Sequence, residues 1–462
     1  MKMLKCDQVI PERYKHIAVK GSEKCAKKKC EIACNEPTTP GDMTERGCTY
    51  AGCRGVVGGP VKDVIHLTHG PTGCAFYSWG YRPHLAEDTD FHREYIFVSD
   101  LEEKDIIFGG EKKLLECIVE AAKEFPEAKG VFIYNTCAPA LIGDDGRDVA
   151  KQARELIGKP VVFFPCEGFR GVSQSQGHHV GNLTIFQELV GTEEPEEAVY
   201  GINLVGEYNI KGDLRYILPL FKELGVEVLT TFTGNASIED LKRMHRAKLN
   251  VVHCARSATY IAEMMKEAYG IPYIHVTLWG LANTANALRK TAEFFGLERE
   301  AERLIEKEMQ YVEPRIEPYR RALEGKTVFI YQGAPRAWHW VQLMRELGME
   351  VTAIATTFGH RDDYDRIFRQ VKDGTLIIDN PNALEIEEVL EEHKPDLFIS
   401  GNKEKYLAYK MGMAFVNGHT YDSGPYAGFR GMIRFARDIH RAVTSPVWKL
   451  VRSKAKPAGG AS

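Results

Sequence analysis

Short runs of β-branched and aromatic residues alternate along the chain with stretches in which apolar residues recur every three to four positions. The runs predict buried strands at 130–134, 160–164, 200–205, 226–230, 249–253, 327–331, 350–354 and 396–400. Helical patterns lie between them, for example at 214–224, 260–269 and 284–295. Because strands that alternate with helices form parallel sheets covered by helices on both faces, the predicted fold class is α/β.

The same alternation divides the chain into three Rossmann-like blocks. The predicted segments are an N-terminal extension at 1–45, blocks at 46–195, 196–325 and 326–415, a C-terminal segment at 416–450 and a disordered tail at 451–462. The C-terminal segment begins as a Gly-rich loop and continues as a helix, whereas the tail is built of Ser, Lys, Pro, Gly and Ala.

Composition narrows the class of protein. Of the 462 residues, 44% are hydrophobic and 27% are charged, which is typical of a globular protein. Lys and Arg number 60 against 64 Asp and Glu, so bulk charge does not favour a nucleic-acid or membrane partner. We find neither an apolar run of membrane-spanning length nor a signal peptide, and therefore expect a cytoplasmic protein.

The chain has 11 cysteines, an odd number that makes a poor disulfide framework. Cys137 and Cys254 directly follow predicted strands, and ligands of α/β proteins collect at the carboxyl ends of strands. Cys48 and Cys74 lie in Gly-rich turns, 26 residues apart, and Cys137 follows 63 residues later, which fits neither a zinc finger nor a ferredoxin. The residues alone leave core cysteines, redox thiols and ligands of a large iron–sulfur cluster as alternatives.

Several further motifs stand in a fixed order along the chain. They are RGC at 46–48, KDVIH at 62–66, HGPTGC at 69–74, EKDIIFGG at 103–110, LIGDD at 141–145, EGFRGVSQS at 167–175, CARS at 254–257 and the segment around His419. Together they resemble the α subunit of nitrogenase component 1 over about residues 4–450. The resemblance implies three Rossmann-like domains with parallel sheets around a buried metallocluster.

The resemblance also implies two clusters. Cys48, Cys74 and Cys137 match the α-side ligands of the P-cluster, an 8Fe-7S cluster shared with the β subunit. Cys254 and His419 match the two protein ligands of an iron–sulfur–carbide cofactor of the FeMo-co type, which carries Mo, V or Fe at its apex and a homocitrate-like acid.

The resemblance also implies which polar residues of this chain lie around that cofactor. Gln174 and His178 match the loop at the reactive face, where His178 would donate a hydrogen bond or relay protons. Four more residues match positions beside the cofactor or its acid: Arg82, Arg256, Ser257 and Lys403. Arg82 and Arg256 join Gln174 and His178 as predicted catalytic residues.

The resemblance is mixed in detail. The segments 6–13 and 232–235 resemble the vanadium and iron-only enzymes, whereas 76–80, 403–405 and 421–425 resemble the molybdenum enzymes. The apical metal and the substrate therefore stay open. Reduction of dinitrogen to ammonia is the leading hypothesis, cleavage of C–S bonds by a methylthio-alkane reductase is the alternative, and a cofactor-assembly scaffold is a third. Cys25, Cys30 and Cys34 match no ligand position and are interpreted as exposed thiols.

The resemblance finally implies partners. No P-loop pattern occurs, so nucleotide hydrolysis is expected on a separate ATP-dependent iron protein. The expected assembly is an α2β2 core with a homologous β subunit. A small third subunit is an optional further component.

Overall fold

The computed structural model describes residues 11–22, 31–34, 47–81, 95–171, 174–194, 200–357 and 359–454. The strands, in chain order, are β1 Ile17–Val19, β2 Val64–His69, β3 Ile96–Val98, β4 Gly130–Asn135, β5 Val161–Phe164, β6 Gly201–Glu207, β7 Glu227–Thr233, β8 Leu249–Val252, β9 Tyr273–His275, β10 Thr327–Gly333, β11 Glu350–Thr357, β12 Leu376–Asp379, β13 Leu397–Ser400 and β14 Ala414–Asn417. All eight predicted strands are present.

The helices, in chain order, are α1 Pro11–Tyr14, α2 Thr49–Gly52, α3 Thr72–Tyr81, α4 Glu103–Phe108, α5 Glu111–Glu124, α6 Cys137–Ile142, α7 Gly146–Ile157, α8 Gln174–Glu188, α9 Leu214–Leu224, α10 Ile238–Lys242, α11 Ala255–Tyr269, α12 Leu281–Phe295, α13 Glu298–Leu323, α14 Ala334–Glu346, α15 Arg361–Gln370, α16 Ala383–His393, α17 Asn402–Lys410, α18 Gly428–Thr444 and α19 Val447–Lys454. A π-helical turn, Cys53–Gly58, continues from α2, and short 3-10 turns occupy Gly168–Arg170 and Met244–Arg246. No helix among the described residues is long and apolar enough to cross a membrane.

Two compact units are present, one formed by Pro37–Leu278 with Asn286–Leu304 and the other by the remaining segments. The first unit contains two fully parallel four-stranded sheets, in the orders β3-β2-β4-β5 and β7-β6-β8-β9. Every residue of β4 is buried, as expected for a strand covered on both faces. The α/β fold class with parallel sheets is confirmed, whereas the three block boundaries stay a prediction.

The second unit holds a six-stranded sheet in the order β1-β12-β11-β10-β13-β14. Its strands are parallel except β1, which comes from the predicted N-terminal extension and pairs antiparallel with β12. The prediction of a disordered tail from residue 451 is wrong for its first residues, because α19 continues to Lys454; 455–462 lie outside the described residues.

Local signals explain where helices begin and end. The carboxylate of Asp145 accepts hydrogen bonds from the backbone N–H groups of Arg147 and Asp148 at the start of α7, both at 3.1 Å. Gly158 ends the helix in the left-handed conformation. The buried face of α7 contributes Val149 and Ala153 to the core that also contains β2 and β4.

Candidate metal centres

Two of the predicted ligands lie at one edge of the first sheet. β2 and β4 are parallel neighbours, and their last residues, His69 and Asn135, are paired in register. Thr136 ties the two strand ends together, since its backbone N–H and its hydroxyl both donate to the carbonyl oxygen of His69, at 3.2 and 2.8 Å. Cys137 begins α6 directly after β4, and Cys74 lies in the first turn of α3 after β2. The sheet therefore delivers both thiols to the same edge.

Cys48 reaches this edge from a different part of the chain. It precedes the first residue of α2, and its side chain does not cap that helix. Gly168, in the turn after β5, lies against both Cys48 and Cys137: a Cβ atom added to Gly168 would be 3.0 Å from the sulfur of Cys137 and 3.1 Å from that of Cys48. The two sulfur atoms thus border the same small space, which exists because residue 168 has no side chain.

The three thiols also affect one another's protonation. Burial raises the pKa of Cys48, and the neighbouring Cys137 raises it further. Burial raises the pKa of Cys74 to about 11, with smaller contributions from Cys48 and Cys137. No group of three metal-binding side chains in the described chain converges tightly enough for a single metal ion. A purely thiolate donor set at wider spacing fits an iron–sulfur cluster, whose several irons are bound by separate sulfurs.

The three thiols are only half-buried, and exposed apolar side chains lie on the elements beside them. Phe76 in α3 is 65% exposed, Leu141 in α6 is 75% exposed, and Phe169, next to Gly168, is 51% exposed. The helix α4, which contacts α6, adds Phe108 at 86% exposure. We call Phe76, Phe108, Leu141 and Phe169 the apolar rim. Such a group of exposed apolar residues is typical of a surface that another chain covers.

Behind the thiols lies a second, buried pair of cysteines. Cys53 and Cys166 are fully buried and their thiols are hydrogen-bonded, and Cys166 also interacts electrostatically with Cys48. Cys166 further donates to the carbonyl oxygen of Asn135, at 3.5 Å.

Helix α8 connects this thiol site with Cys254. It begins at Gln174, which is half-buried, and carries the buried His178. Two glycines permit a close crossing with α2, because a Cβ on Gly52 would be 2.0 Å from the carbonyl oxygen of Gln174, and one on Gly177 would be 2.0 Å from that of Thr49. Further along α8, the amide of Asn182 donates to the carbonyl oxygen of Ser257 in α11, at 2.8 Å.

Cys254 stands between β8 and α11, as predicted for a ligand at a strand end. Gly206, with a φ of +83°, allows this approach: a Cβ there would be 2.8 Å from the backbone nitrogen of Cys254. Ser257 in the first turn of α11 is buried, and its hydroxyl accepts from Tyr208 at 2.6 Å. Arg256 is half-buried beside it.

His419 follows β14 in a turn that several hydrogen bonds fix. The side-chain oxygen of Asn417 accepts from the backbone N–H of His419 at 3.0 Å. The guanidinium of Arg336 donates to the carbonyl oxygens of Gly418 and His419, at 2.8 and 2.5 Å. These hydrogen bonds fix the backbone of His419, whose side chain is half-buried. Lys403 is the second residue of α17, which follows β13, the neighbouring strand of β14.

Some predicted residues cannot be placed. Arg82, Cys25 and Cys30 lie outside the described residues. Cys34 is half-buried rather than exposed and lies near the hydroxyl of Tyr364, so its interpretation as an exposed thiol is wrong. Gly168 lies in the motif at 167–175, but sequence pattern assigns it no role, because its importance depends on contacts made only after folding.

Comparisons with known proteins show what the chain is similar to as a whole. The family model of nitrogenase component 1 type oxidoreductases matches residues 48–444. The nitrogenase molybdenum-iron protein alpha chain of Methanothermococcus thermolithotrophicus is 45% identical, over 97% of this chain and 96% of its own length. The nitrogenase iron-iron protein alpha chain of Rhodobacter capsulatus is 41% identical, over 96% of this chain and 84% of its own. A solved structure described as "Nitrogenase Cp1 at pH 5" superposes with a TM-score of 0.89 at 36% identity, covering 97% of this chain and 98% of that one.

Proposed function

Since the chain belongs to the family of nitrogenase component 1 type oxidoreductases, we propose that it reduces dinitrogen to ammonia at an iron–sulfur cofactor. It is the catalytic α subunit of a component 1 enzyme of the nitrogenase superfamily. One observation supports the proposal most directly: three thiols from separate loops, Cys48, Cys74 and Cys137, meet at one sheet edge where Gly168 leaves room between two of them.

We assign Cys48, Cys74 and Cys137 as the α-side ligands of a P-cluster. Their donor chemistry fits, because soft thiolates are the ligands that iron–sulfur clusters prefer. The raised pKa values of Cys48 and Cys74 mean that both are protonated at neutral pH without metal, so cluster binding must release protons. The partial exposure of all three fits a cluster that a second chain completes.

We assign Cys254 and His419 as the two ligands of the catalytic cofactor. The thiolate of Cys254 suits a terminal iron, and the imidazole of His419 suits an apical metal, which is Mo, V or Fe. Arg336 and Asn417 fix the backbone of the His419 turn. Lys403 is proposed to contact a homocitrate-like acid, for which its charge is suited.

The bound clusters supply electron storage and the site of reduction, and the protein contributes orientation and protons. The buried His178 on α8 is proposed to hold the proton that is delivered to substrate, with Gln174 one turn earlier. Arg256, Ser257 and Arg82 are proposed to contact the cofactor, the arginines offsetting its negative charge. Because α8 contacts both α2 and α11, it fixes the thiol site and the Cys254 site relative to each other.

We propose three kinds of partner. A homologous β subunit completes the P-cluster in an α2β2 assembly, and the apolar rim around the thiols is the surface available to it. An ATP-dependent iron protein delivers electrons, because this chain has no P-loop motif of its own. A small third subunit and a cytoplasmic location remain predictions.

The test is incorporation of 15N from dinitrogen into ammonium by the anaerobically purified complex, with its iron protein, ATP and a low-potential donor. We expect labelled ammonium at a rate that depends on ATP. Electron flow without labelling would contradict dinitrogen reduction and indicate cleavage of another bond. Metal analysis of the same sample identifies the apical metal, and a complex without P-cluster iron would indicate a cofactor-assembly scaffold instead.

A further inference from the structure

Arg54 is a buried cation for which the described part of the chain provides no counter-charge. It lies in the π-helical turn that continues from α2, six residues after Cys48, and only 1% of it is exposed. Its Nε and Nη1 atoms are buried and meet no hydrogen-bond partner among the described residues. Its side chain lies across Gly59, where an added Cβ would be 2.3 Å from Nη1.

The groups around Arg54 are neutral. The guanidinium lies 5.8 Å from the centre of the Tyr134 ring. The hydroxyl of Tyr134 donates to Nδ1 of His66 at 2.9 Å, and Nε2 of His66 donates to the carbonyl oxygen of Val61, also at 2.9 Å. Burial first, and then Arg54, lowers the pKa of His66 to about 3, so this histidine carries no charge at neutral pH.

Buried neutral side chains also lead from Arg54 towards the thiol site. Tyr134 interacts electrostatically with Arg54, Cys53 and Cys166, and Cys166 in turn interacts with Cys48. One carboxylate, Glu167, borders this path, and it already bonds Arg170 at 3.3 Å and the amide of Asn135 at 3.1 Å.

The guanidinium of an arginine stays charged inside proteins, so loss of a proton cannot relieve its burial. An unpaired charge in a protein interior is strongly unfavourable, so such a residue is expected to have a partner in the complete protein. Six residues of helix cover roughly 9 Å along the axis, which places the start of α2 within effective electrostatic range of the guanidinium in a low-dielectric interior.

We propose that Arg54 supplies the counter-charge for the cluster assigned to Cys48, Cys74 and Cys137, and thereby raises its reduction potential. This inference rests on the proposed function, because it requires that the three thiols bind an anionic cluster. In this proposal Arg54 donates no hydrogen bond to the three thiols. It acts through the electric field of a fixed, desolvated charge.

The experiment is a redox titration of the P-cluster, followed by electron paramagnetic resonance, in the anaerobically purified α2β2 complex. Arg54→Met removes the charge and keeps a long apolar side chain, whereas Arg54→Lys keeps the charge and removes the guanidinium. We expect Arg54→Met to favour the oxidised state at least tenfold, a shift of 59 mV to lower potential for a one-electron couple, and Arg54→Lys to stay close to the unchanged protein. Arg147→Met is the matched control, because Arg147 is an exposed arginine of the same unit.

Iron content separates the possible outcomes. An unchanged potential in Arg54→Met with full iron content would refute the inference. If Arg54→Met loses iron, the inference requires that Arg54→Lys retains it; equal loss in both would show that Arg54 serves packing. Absence of cluster iron from the unsubstituted complex would instead refute the proposed function, before any variant is compared.

Discussion

Gly168 shows how a single residue leaves room for the ligands of the thiol site. A methyl group at this position would stand 3.0 and 3.1 Å from the sulfurs of Cys137 and Cys48, closer than carbon and sulfur normally approach. We therefore expect Gly168→Ala to displace both ligands and to weaken iron retention roughly 10- to 100-fold, as found for residues that orient metal ligands. Iron remaining after challenge with a chelator measures the effect.

Gly73→Ala is the matched control for that substitution. Gly73 precedes Cys74, but no atom lies within 4 Å of an added Cβ there. Its alanine variant should retain iron as well as the unchanged protein does. If both variants retained iron equally, the space at Gly168 would have no role in cluster binding.

Asp63, also a single residue, predicts how the stability of the protein depends on pH. Burial raises its pKa to about 6, while the backbone N–H of Ile238, which donates to it at 3.0 Å, opposes the shift. The folded state therefore binds this proton more tightly than the unfolded chain does. The resulting stability is present below about pH 4 and is lost as the pH rises through 6, by about 3 kcal/mol in total.

Asp63→Asn keeps the acceptor for Ile238 and removes the titration. We expect the variant to match the unchanged protein near pH 4 and to be more stable by about 3 kcal/mol above pH 6. Urea unfolding at a series of pH values measures the difference, in which other titrating groups cancel. A difference that does not depend on pH would contradict the raised pKa.

Between elements, the crossing of α2 and α8 depends on glycine. A Cβ on Gly177 would stand 2.0 Å from the carbonyl oxygen of Thr49 and 2.5 Å from the backbone nitrogen of Cys53. Backbone atoms cannot move aside as side chains do, so Gly177→Ala should cost about 3 kcal/mol of unfolding free energy and displace α2 together with Cys48.

Gly181 lies one turn further along α8 and provides the comparison. The three atoms nearest to its added Cβ belong to the side chain of Val57, at 2.9 to 3.3 Å, and not to the backbone. Gly181→Ala should therefore cost about 1 kcal/mol and leave iron content unchanged. Thermal unfolding with iron analysis tests both variants, and equal effects would show that the α2–α8 crossing is not specially constrained.

The elements also show what a sequence can and cannot reveal. The eight predicted strands are apolar runs covered on both faces, and such runs are visible in sequence. β2 was not predicted because His66 and His69 interrupt its apolar pattern, yet both are buried with hydrogen-bond partners for their rings. β1, β3 and β9 have only three residues each, too few for a period to be seen.

The residues of the candidate site also differ in how far sequence pattern alone predicts them. Cys137 and Cys254 could be predicted as strand-end residues from local pattern, and their positions agree. The meeting of Cys48 with Cys137 could not, because it depends on the loop that carries Gly168. Arg54 lies in a Gly-rich segment that resembles a surface turn, and only the packed structure shows that it is buried. Contacts between distant segments therefore carry the part of the site that sequence pattern cannot reveal.

For the whole molecule, the apolar rim predicts how the chain assembles. Leu141 is 75% exposed four residues after Cys137, on the short helix that presents that thiol. If a β subunit covers this surface, a charge at position 141 would be buried without a partner. We expect Leu141→Asp to weaken assembly by about 2 kcal/mol, the size of an interface hot spot, or roughly thirtyfold in affinity.

Leu384→Asp is the matched control for assembly, since Leu384 is 73% exposed in the other unit, on α16. Sedimentation of the co-expressed α and β chains measures the fraction assembled in each variant. The rim is the β-subunit surface only if Leu141→Asp releases free α chain while Leu384→Asp sediments as the intact complex. Because the rim lies on the elements that carry the half-buried thiols, loss of assembly should also remove P-cluster iron. Iron retained by free α chain would show instead that the α-side ligands hold a cluster alone.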